Sequence, residues 1–439
     1  MTDVKWTVQT IVRELLSGIS VSLTLVPTSI AYALFLGMSP MVGLYASIIM
    51  VLTTAILGSQ PGLVSNTTAA VAVAMIGLVQ KMGPEYLFVG VIVGGILQLF
   101  FVFLKLERVF KLVPPQVVSG FLLGLAALIA KGQINYFRSE SYFNKDNDLT
   151  TSEESSNEAK QTIKDNVKST IDYQKNYLLT QLGLKSDRQW LSRDKLLATI
   201  GVTLFGVAIM FGTHFAKIPL PGSVPGSLLT VIIITAAYYI SPWKVPISTI
   251  GDKGSVGGKL PTFRIPNVPW NLKTLWTVLP YSASMAVSTL TESMLMMKKA
   301  TEVLHKGGDS RRENMAMGLG NIISGFFGGM GGNVCVGLSQ LNLANGGRTR
   351  LSTITAGLAL VLIMLFFSKW VQAIPMPALI AIMVFIVYET GDWTAFNNTN
   401  NTEKLVILVT SVMSFLTSNL AAGVVSGTLL HHAAKNVKL

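Results

Sequence analysis

Long apolar runs separated by short polar breaks recur along this chain from end to end. A run of about 18 or more apolar residues crosses a ~30 Å hydrocarbon core as a helix. Helices satisfy their own backbone amides, which lipid cannot do. The pattern therefore predicts an all-α polytopic membrane protein, with fourteen transmembrane segments. Span 1 is about 14–36 with Pro27 at its middle, span 2 is 40–57, span 4 is 84–104 and span 5 is 113 to about 134, opening on Pro114 and Pro115. Spans 6 and 7 are about 195–215 and 224–240, span 8 about 275–297 and span 9 314–327. Span 11 is 351–367, span 12 is 374–388, and spans 13 and 14 are about 404–417 and 420–434.

Spans 3 and 10 break the pattern. Residues 328–350, GGMGGNVCVGLSQLNLANGGRTR, are interrupted by glycine at both ends, which leaves only 334–344 free to be helical. At ~1.5 Å per residue that covers about half the hydrocarbon thickness. Residues 61–75, PGLVSNTTAAVAVAM, have the same look in the first half. Short, Gly/Pro-interrupted segments in corresponding halves point to a transporter's binding site. Other punctuation repeats at a near-constant offset: Pro114-Pro115 opens span 5 as Pro375 and Pro377 open span 12, and Gly83-Pro84 precedes span 4 as Gly346-Gly347 precede span 11. Seven spans duplicated put the second copy upside down, a seven-plus-seven inverted repeat with spans 3 and 10 short and discontinuous. The chain then divides into 1–134 (spans 1–5), a polar inserted loop at 135–194, 195–240 (spans 6–7), an inter-repeat loop at 241–274, 275–367 (spans 8–11) and 368–439 (spans 12–14). The insert is expected to be partly helical near 171–184.

Composition narrows the class further. Half of the residues are hydrophobic and only 13% charged, against about 25% charged in soluble domains. The opening MTDVKWTVQTIVREL is polar and runs into a full span, so no cleavable signal peptide is expected. The formal charge of +12 comes from bases in loops, with no aromatic-interleaved patch, so nucleic acid is not an expected partner. With the amino terminus in the cytosol, cytosolic short loops and termini hold sixteen of the 34 Lys and Arg, and short outer loops hold Lys81 and Lys369. This bias predicts cytoplasmic termini. One cysteine, Cys335, excludes internal disulfides and zinc clusters. Four histidines without metal-ligand spacing, and no nucleophile or paired carboxylates, argue against an enzyme.

Of the 22 acids, ten lie in the insert and eleven in termini, loops or span ends. Glu292 alone sits mid-span, in SASMAVSTLTESMLMM, with no mid-span base to pair with. A carboxylate at the bilayer centre costs ~2.5–3.5 kcal/mol on insertion scales, which makes it a functional candidate by default. It could bind a proton, or Na⁺ together with hydroxyls such as Ser288 and Ser293; a protonated glutamate bonded to a neighbouring helix is the plainer alternative. The short segments supply the opposite sign. Two half-helices that begin at the midplane aim free N–H groups at each other, each end acting as roughly half a positive charge. Ser65, Asn66, Thr67, Thr68 and Ala69 flank one end, and Asn333, Val334, Cys335, Val336, Gly337 and Ser339 the other. Ordinary small-residue helix packing explains the same residues. Tyr32, one turn after Pro27, either faces the cavity or packs.

Three stretches resemble the sulfate-permease (SulP, or SLC26) anion transporters: VPTSIAYALFLGMSPMVGLYAS at 26–47, ENMAMGLGNIISGFFGGMGG at 313–332 and NGGRTRLS at 345–352. The resemblance implies a core domain (spans 1–4 and 8–11), a gate domain (spans 5–7 and 12–14), a substrate between spans 3 and 10, and alternating access by movement of core against gate. Motif matching puts Thr28, Tyr32, Thr68, Ala69 and Gly337 at cavity positions and Glu292 at the family's span 8 carboxylate. It also implies homodimerisation through the gate. Leu338 stands where many members carry a polar residue, often arginine, and the family's sodium-ligand pattern on span 10 is not clearly reproduced. Most members continue into a cytosolic STAS domain, whereas this sequence stops at Leu439, so regulation through such a domain is not expected.

The expected function is secondary active transport of a small inorganic anion, sulfate or bicarbonate, across the bilayer. Glu292 would couple it to H⁺ or Na⁺, Na⁺ acting as coupling ion rather than resident cofactor. Without arginine at 338, an anion and an ionised Glu292 repel, so a bound cation or proton favours occupancy. A nucleobase permease of the same architecture, using Gln340, and an anion channel, exchanger or voltage-driven motor are the rival readings.

Overall fold

A computed structural model describes residues 6–105, 114–138, 190–215, 225–241, 246–397 and 399–437. Most of the insert, with the helix expected at 171–184, lies outside them. A helix of nine residues or more falls on each predicted apolar segment. These are α1 (Val8–Phe35), α2 (Pro40–Leu57), α3 (Ala69–Met82), α4 (Pro84–Phe103), α5 (Pro115–Gln133), α6 (Arg193–Phe215) and α7 (Gly226–Ile240). The second half contributes α8 (Leu272–Leu304), α9 (Ser310–Phe326), α10 (Val336–Ala344), α11 (Arg350–Phe366), α12 (Met376–Thr390), α13 (Asn401–Thr417) and α14 (Leu420–Val437). Five are long and apolar enough by themselves to cross a membrane: α1, α2, α4, α5 with its 3₁₀ extension to Phe137, and α6. The non-helical elements are small, chiefly two two-residue strands, β1 (Ser65–Asn66) and β2 (Asn333–Val334).

The boundaries shift where polar residues keep the helix going. α8 has 33 residues instead of the expected 275–297: Asn271 caps it by accepting from the Thr274 amide, and the polar tail after Met297 stays helical as far as His305, at φ +50°. α3 continues past Met75 to Met82, because nothing in its second half stops a helix before Gly83, at φ +92°. α10 starts two residues later than expected, because Asn333 and Val334 are spent on a strand.

The helices pack in two groups. α1, α2, α3, α4, α8, α9, α10 and α11 contact mainly one another, with α4 against α9 and α1 against α11 among the closest pairings. α5, α6, α7, α12, α13 and α14 form the second bundle, built on α5 against α13 and α6 against α12. Lipid supplies no hydrophobic force between helices, so small residues set the approach. A side chain at Gly95 of α4 would meet the Gly318 carbonyl of α9 at 2.6 Å, and one at Gly120 of α5 would meet the Ile407 carbonyl of α13 at 2.6 Å. Polar bonds add to the packing: Ser282 Oγ of α8 donates to the Gly90 carbonyl at 2.7 Å.

Two acids read as span-end residues are in fact buried anchors, Glu14 and Glu313 each being 1% exposed. Glu14 of α1 accepts from the Arg348 amide (2.7 Å), the Thr349 amide (3.0 Å) and the Ser352 amide (3.1 Å), closing the start of α11. Glu313 of α9 accepts from the amides of Ser59 (2.6 Å) and Gln60 (2.9 Å) in the turn after α2. Charge-assisted bonds of this kind each contribute about 1.5–3 kcal/mol. Glu14→Ala is expected to destabilise the chain by about 3 kcal/mol or more, since three amides lose their acceptor. Thermal unfolding of the purified protein in detergent, with Glu14→Gln as the shape-conserving comparison, measures this; an unchanged melting temperature in both variants contradicts the anchor.

Residues 246–271 strap the bundles together. The Ile250 amide donates to the Ile374 carbonyl (2.9 Å) and the Met376 amide to the Ser248 carbonyl (2.8 Å), on the α12 side. On the other bundle the Arg264 amide donates to the Phe326 carbonyl (2.7 Å), and its guanidinium pairs with Glu85 (3.3 Å) above the Phe88 ring.

Candidate functional site

The two interrupted segments meet. β1 and β2 pair antiparallel, Ser65 opposite Val334 and Asn66 opposite Asn333. The Cys335 amide extends the pairing by donating to the Val64 carbonyl at 2.8 Å, and the Val64 amide donates to Ser339 Oγ at 2.9 Å. α3 and α10 lead away from this joint, and neither starts with a side-chain cap hydrogen bond. Their first amides have no acceptor within their own helix, as at every helix start. The Tyr32 hydroxyl lies against the Ala69 amide, its donor, and the Cys335 sulfur faces the amides of Gly337 and Leu338.

Glycines make the joint possible. Gly331 takes φ +72°, which side-chain-bearing residues rarely adopt, and a Cβ on Gly332 would collide with the Asn66 carbonyl. Asn321 Oδ1 accepts from the Gly332 amide at 2.8 Å and Ser324 Oγ from the Gly331 amide at 3.1 Å, so α9 holds the loop. On the other side Asn66 Oδ1 accepts from Ser29 Oγ (3.2 Å), Thr67 Oγ1 (3.3 Å) and Ser47 Oγ. The far end of α10 is fixed by Asn342, whose Nδ2 donates to the Gly62 carbonyl at 3.0 Å and whose Oδ1 accepts from Ser17 Oγ at 2.7 Å.

Beside the joint stands Glu292, 7% exposed. Its Oε2 accepts from Asn333 Nδ2 at 2.5 Å, which ties α8 to β2. Ser288, one turn earlier on the same helix face, and Ser293 are fully buried with no partner for their hydroxyls, and Asn333 Oδ1 is also unbonded. Hard cations take such oxygen donors. No group of three or more His, Cys, Asp or Glu gathers among the described residues.

The remaining candidates divide by exposure and bonding. Gly337 is exposed, and Cys335 and Val336 are half-buried at the mouth of the joint. Val334 and Leu338 are packed inside it, and Thr67 and Thr68 are buried. Thr28 turns its hydroxyl back on its own helix, donating to the Thr24 carbonyl at 2.9 Å. Ser339 is occupied in latching Val64. Tyr32 is buried and within electrostatic reach of Cys335, Glu292 and Glu389.

Glu389 was missed by the sequence reading, which placed it at a span end. It closes α12, and a Cβ on Gly337 would stand 3.6 Å from its Oε2. No local signal separates an acid that turns back toward a cavity from one that enters a loop, because the approach depends on how α12 packs against the other bundle.

Two short helices joined start to start and faced by a second bundle are the arrangement that a transporter's binding site takes. The chain belongs to the sulfate permease family, which it matches over residues 11–166 and 186–413. It is 32% identical over 421 residues to YbaR of Bacillus subtilis, which bears a sulfate-transporter designation; the match covers 95% of this chain and 75% of YbaR. The bicarbonate transporter BicA of Synechocystis is 23% identical over 390 residues, covering 87% of this chain, which matches 62% of BicA's length. Solved structures agree in fold. The transmembrane domain of a cyanobacterial BicA superposes with a TM-score of 0.70 at 20% identity, covering 95% of this chain and 98% of that domain. The murine anion transporter Slc26a9, in an inward-facing state, gives 0.74 at 18% identity, covering 99% and 70%.

Proposed function

We propose that this chain is a secondary active transporter of a small inorganic anion, sulfate or bicarbonate, driven by co-transport of H⁺ or Na⁺. The observation that carries the reading is the joint itself: the uncapped amino ends of α3 and α10 lie beside Glu292 and its unbonded oxygen neighbours. Helix ends attract an anion through free amides and aligned dipoles. In this reading Tyr32, Thr68 and the amides of Ala69 and residues 336–337 line the anion site, with Cys335 and Val336 contributing shape. Asn66, Thr67, Asn333, Val334, Leu338 and Ser339 build it, and Thr28 supports α1. Glu292 with Ser288, Ser293 and Asn333 Oδ1 receives the cation.

Tyr32 and Cys335 have carboxylates as their charged side-chain neighbours. With no fixed cation there among the described residues, an anion binds against like charge, a cost on the order of a few kcal/mol at protein dielectrics. A co-bound cation or proton removes that cost, which is the physical basis of coupling here. The first bundle acts as the core and the second as the gate, and the core carries the site past the gate in an elevator movement, with both termini in the cytosol and a second copy docked through the gate.

The test is uptake of labelled sulfate and labelled bicarbonate by proteoliposomes, with and without an inward Na⁺ or H⁺ gradient. Concentrative uptake of one anion, dependent on one cation, is expected. Uptake blocked by uracil or xanthine instead identifies a nucleobase permease, and an unsaturable anion conductance in bilayer recordings identifies a channel.

A further inference from the structure

We propose that Tyr136 and Ser284 form a latch that holds the two bundles together on the α3 side of the joint, so that the site opens only toward the side on which α10 ends. This rests on the core-against-gate movement proposed above. The course of α1 tells the two sides apart. Near its start, Ser17 Oγ donates to Asn342 Oδ1 of α10 at 2.7 Å. About four turns later, Tyr32 reaches the joint, and Phe35 ends the helix beyond it. On that far side α3 packs against α5 and α14 of the second bundle, whereas the main helical neighbours of α10 are α1 and α8 of its own bundle. Exposure follows the same division. Thr68, Ala69 and Ala70 at the start of α3 are buried. On α10, Gly337 and Gln340 are exposed and Val336 is half-buried.

Two side-chain hydrogen bonds cross between the bundles on the closed side. The Tyr136 hydroxyl donates to the Ala31 carbonyl at 3.3 Å, next to Tyr32 of the site. Ser284 Oγ, on a residue 2% exposed, donates to Asn419 Oδ1 at 3.0 Å. Ser284 precedes Glu292 on α8 by about two turns, and Asn419 lies between α13 and α14. The Phe35 ring is pressed against Gly132 of α5, where a Cβ would collide with it. These contacts hold α1 and α8, the helices that carry Tyr32 and Glu292. A core that turns its site toward the α3 side must therefore break both bonds and lift Phe35 away. Tyr136 is held in place for this role. It belongs to the 3₁₀ turn Ile134–Phe137, beyond which Arg138 pairs with Trp190 through the backbone and sets its guanidinium 4.9 Å above the indole. The two ends of the polar insert thus meet at the latch.

Cys335, the sole cysteine of the chain and half-buried at the joint, is a built-in reporter of which side is open. Its modification by a membrane-impermeant maleimide is timed in right-side-out and inside-out vesicles holding the full chain. A cleavable amino-terminal tag marks the α10 side, because Glu14 near the start of α1 is bonded to the Arg348 amide beyond α10. Wild-type Cys335 is expected to react faster from that side. Tyr136→Phe and Ser284→Ala remove the bonds alone. Each is expected to raise the rate from the α3 side by about two- to tenfold, the scale of one net hydrogen bond in a two-state equilibrium. Gly132→Ala, which displaces Phe35, is expected to act in the same direction and serves if either of the others misfolds. Rates from the α3 side that are unchanged or lower in folded, monodisperse variants overturn the latch, as does wild-type Cys335 reacting equally from both sides. Bonds with a merely structural role lower the melting temperature and alter both rates alike, which also overturns it. The labelling needs no substrate, so the two readings fail separately. Rates that shift as expected in a protein that takes up neither anion keep the latch and remove the anion reading; cation-driven anion uptake with unshifted rates does the reverse.

Discussion

Glu292→Gln is expected to remove concentrative uptake while leaving a folded protein that still exchanges anion. The glutamine carbonyl can still accept from Asn333 Nδ2, the bond that ties α8 to the joint, so the substitution isolates the charge from the architecture. At one-to-one coupling, a tenfold cation gradient supplies about 1.4 kcal/mol and supports about tenfold accumulation of the anion. Without the carboxylate the cation has no charged ligand, and the accumulation ratio falls to about one. Gradient-driven uptake and anion counterflow, measured in the same proteoliposomes, separate the two properties. A variant that accumulates as the wild type does removes Glu292 from coupling, and one that loses counterflow as well gives the residue a direct part in anion binding.

Gly332→Val carries the largest expected structural effect. The position is pressed on the Asn66 carbonyl and the Thr67 amide, both backbone, so nothing flexible can yield. Accommodating a branched side chain must separate β1 from β2, at a cost of about 3 kcal/mol or more by the usual scale of overpacking. A lower melting temperature in detergent, with loss of anion binding, is the expected result. Gly257→Ala is the control: nothing lies within 4 Å of its Cβ position, so a change within about 0.5 kcal/mol is expected. Equal melting temperatures for the two variants would contradict the close approach.

Much of the fold was legible in the apolar pattern, because in lipid the hydrophobic length of a segment and the need to bond its own amides leave few options. The breaks were legible for the same reason: glycines at 328–332 and 346–347 stop a helix wherever they fall. Less legible were distances that depend on tertiary packing. Glu14 and Glu313 look like interfacial acids by position, yet each closes on backbone amides contributed by the other half of the chain. Glu389 ends an apolar run as an ordinary loop acid would, and only the placement of α12 brings it to Gly337. Thr28 and Ser339 carry cavity-suited hydroxyls, but Thr28 spends its own on Thr24 in the same helix and Ser339 accepts from the Val64 amide across the joint, which composition alone cannot distinguish. Asn333 was named as a flank of the helix end; its bond to Glu292 links the two candidate sites and has no counterpart in residue spacing.

The strand joint has a thermodynamic consequence. Because β1 and β2 pair, Cys335 bonds Val64, and Val64 bonds Ser339, the two helix ends form one welded unit with a fixed separation. In the proposed elevator movement such a unit would cross the bilayer as a solid piece and offer the anion the same contacts on either side. On that proposal, a difference in intrinsic anion affinity between the two faces would originate in what the second bundle offers at each end of the stroke.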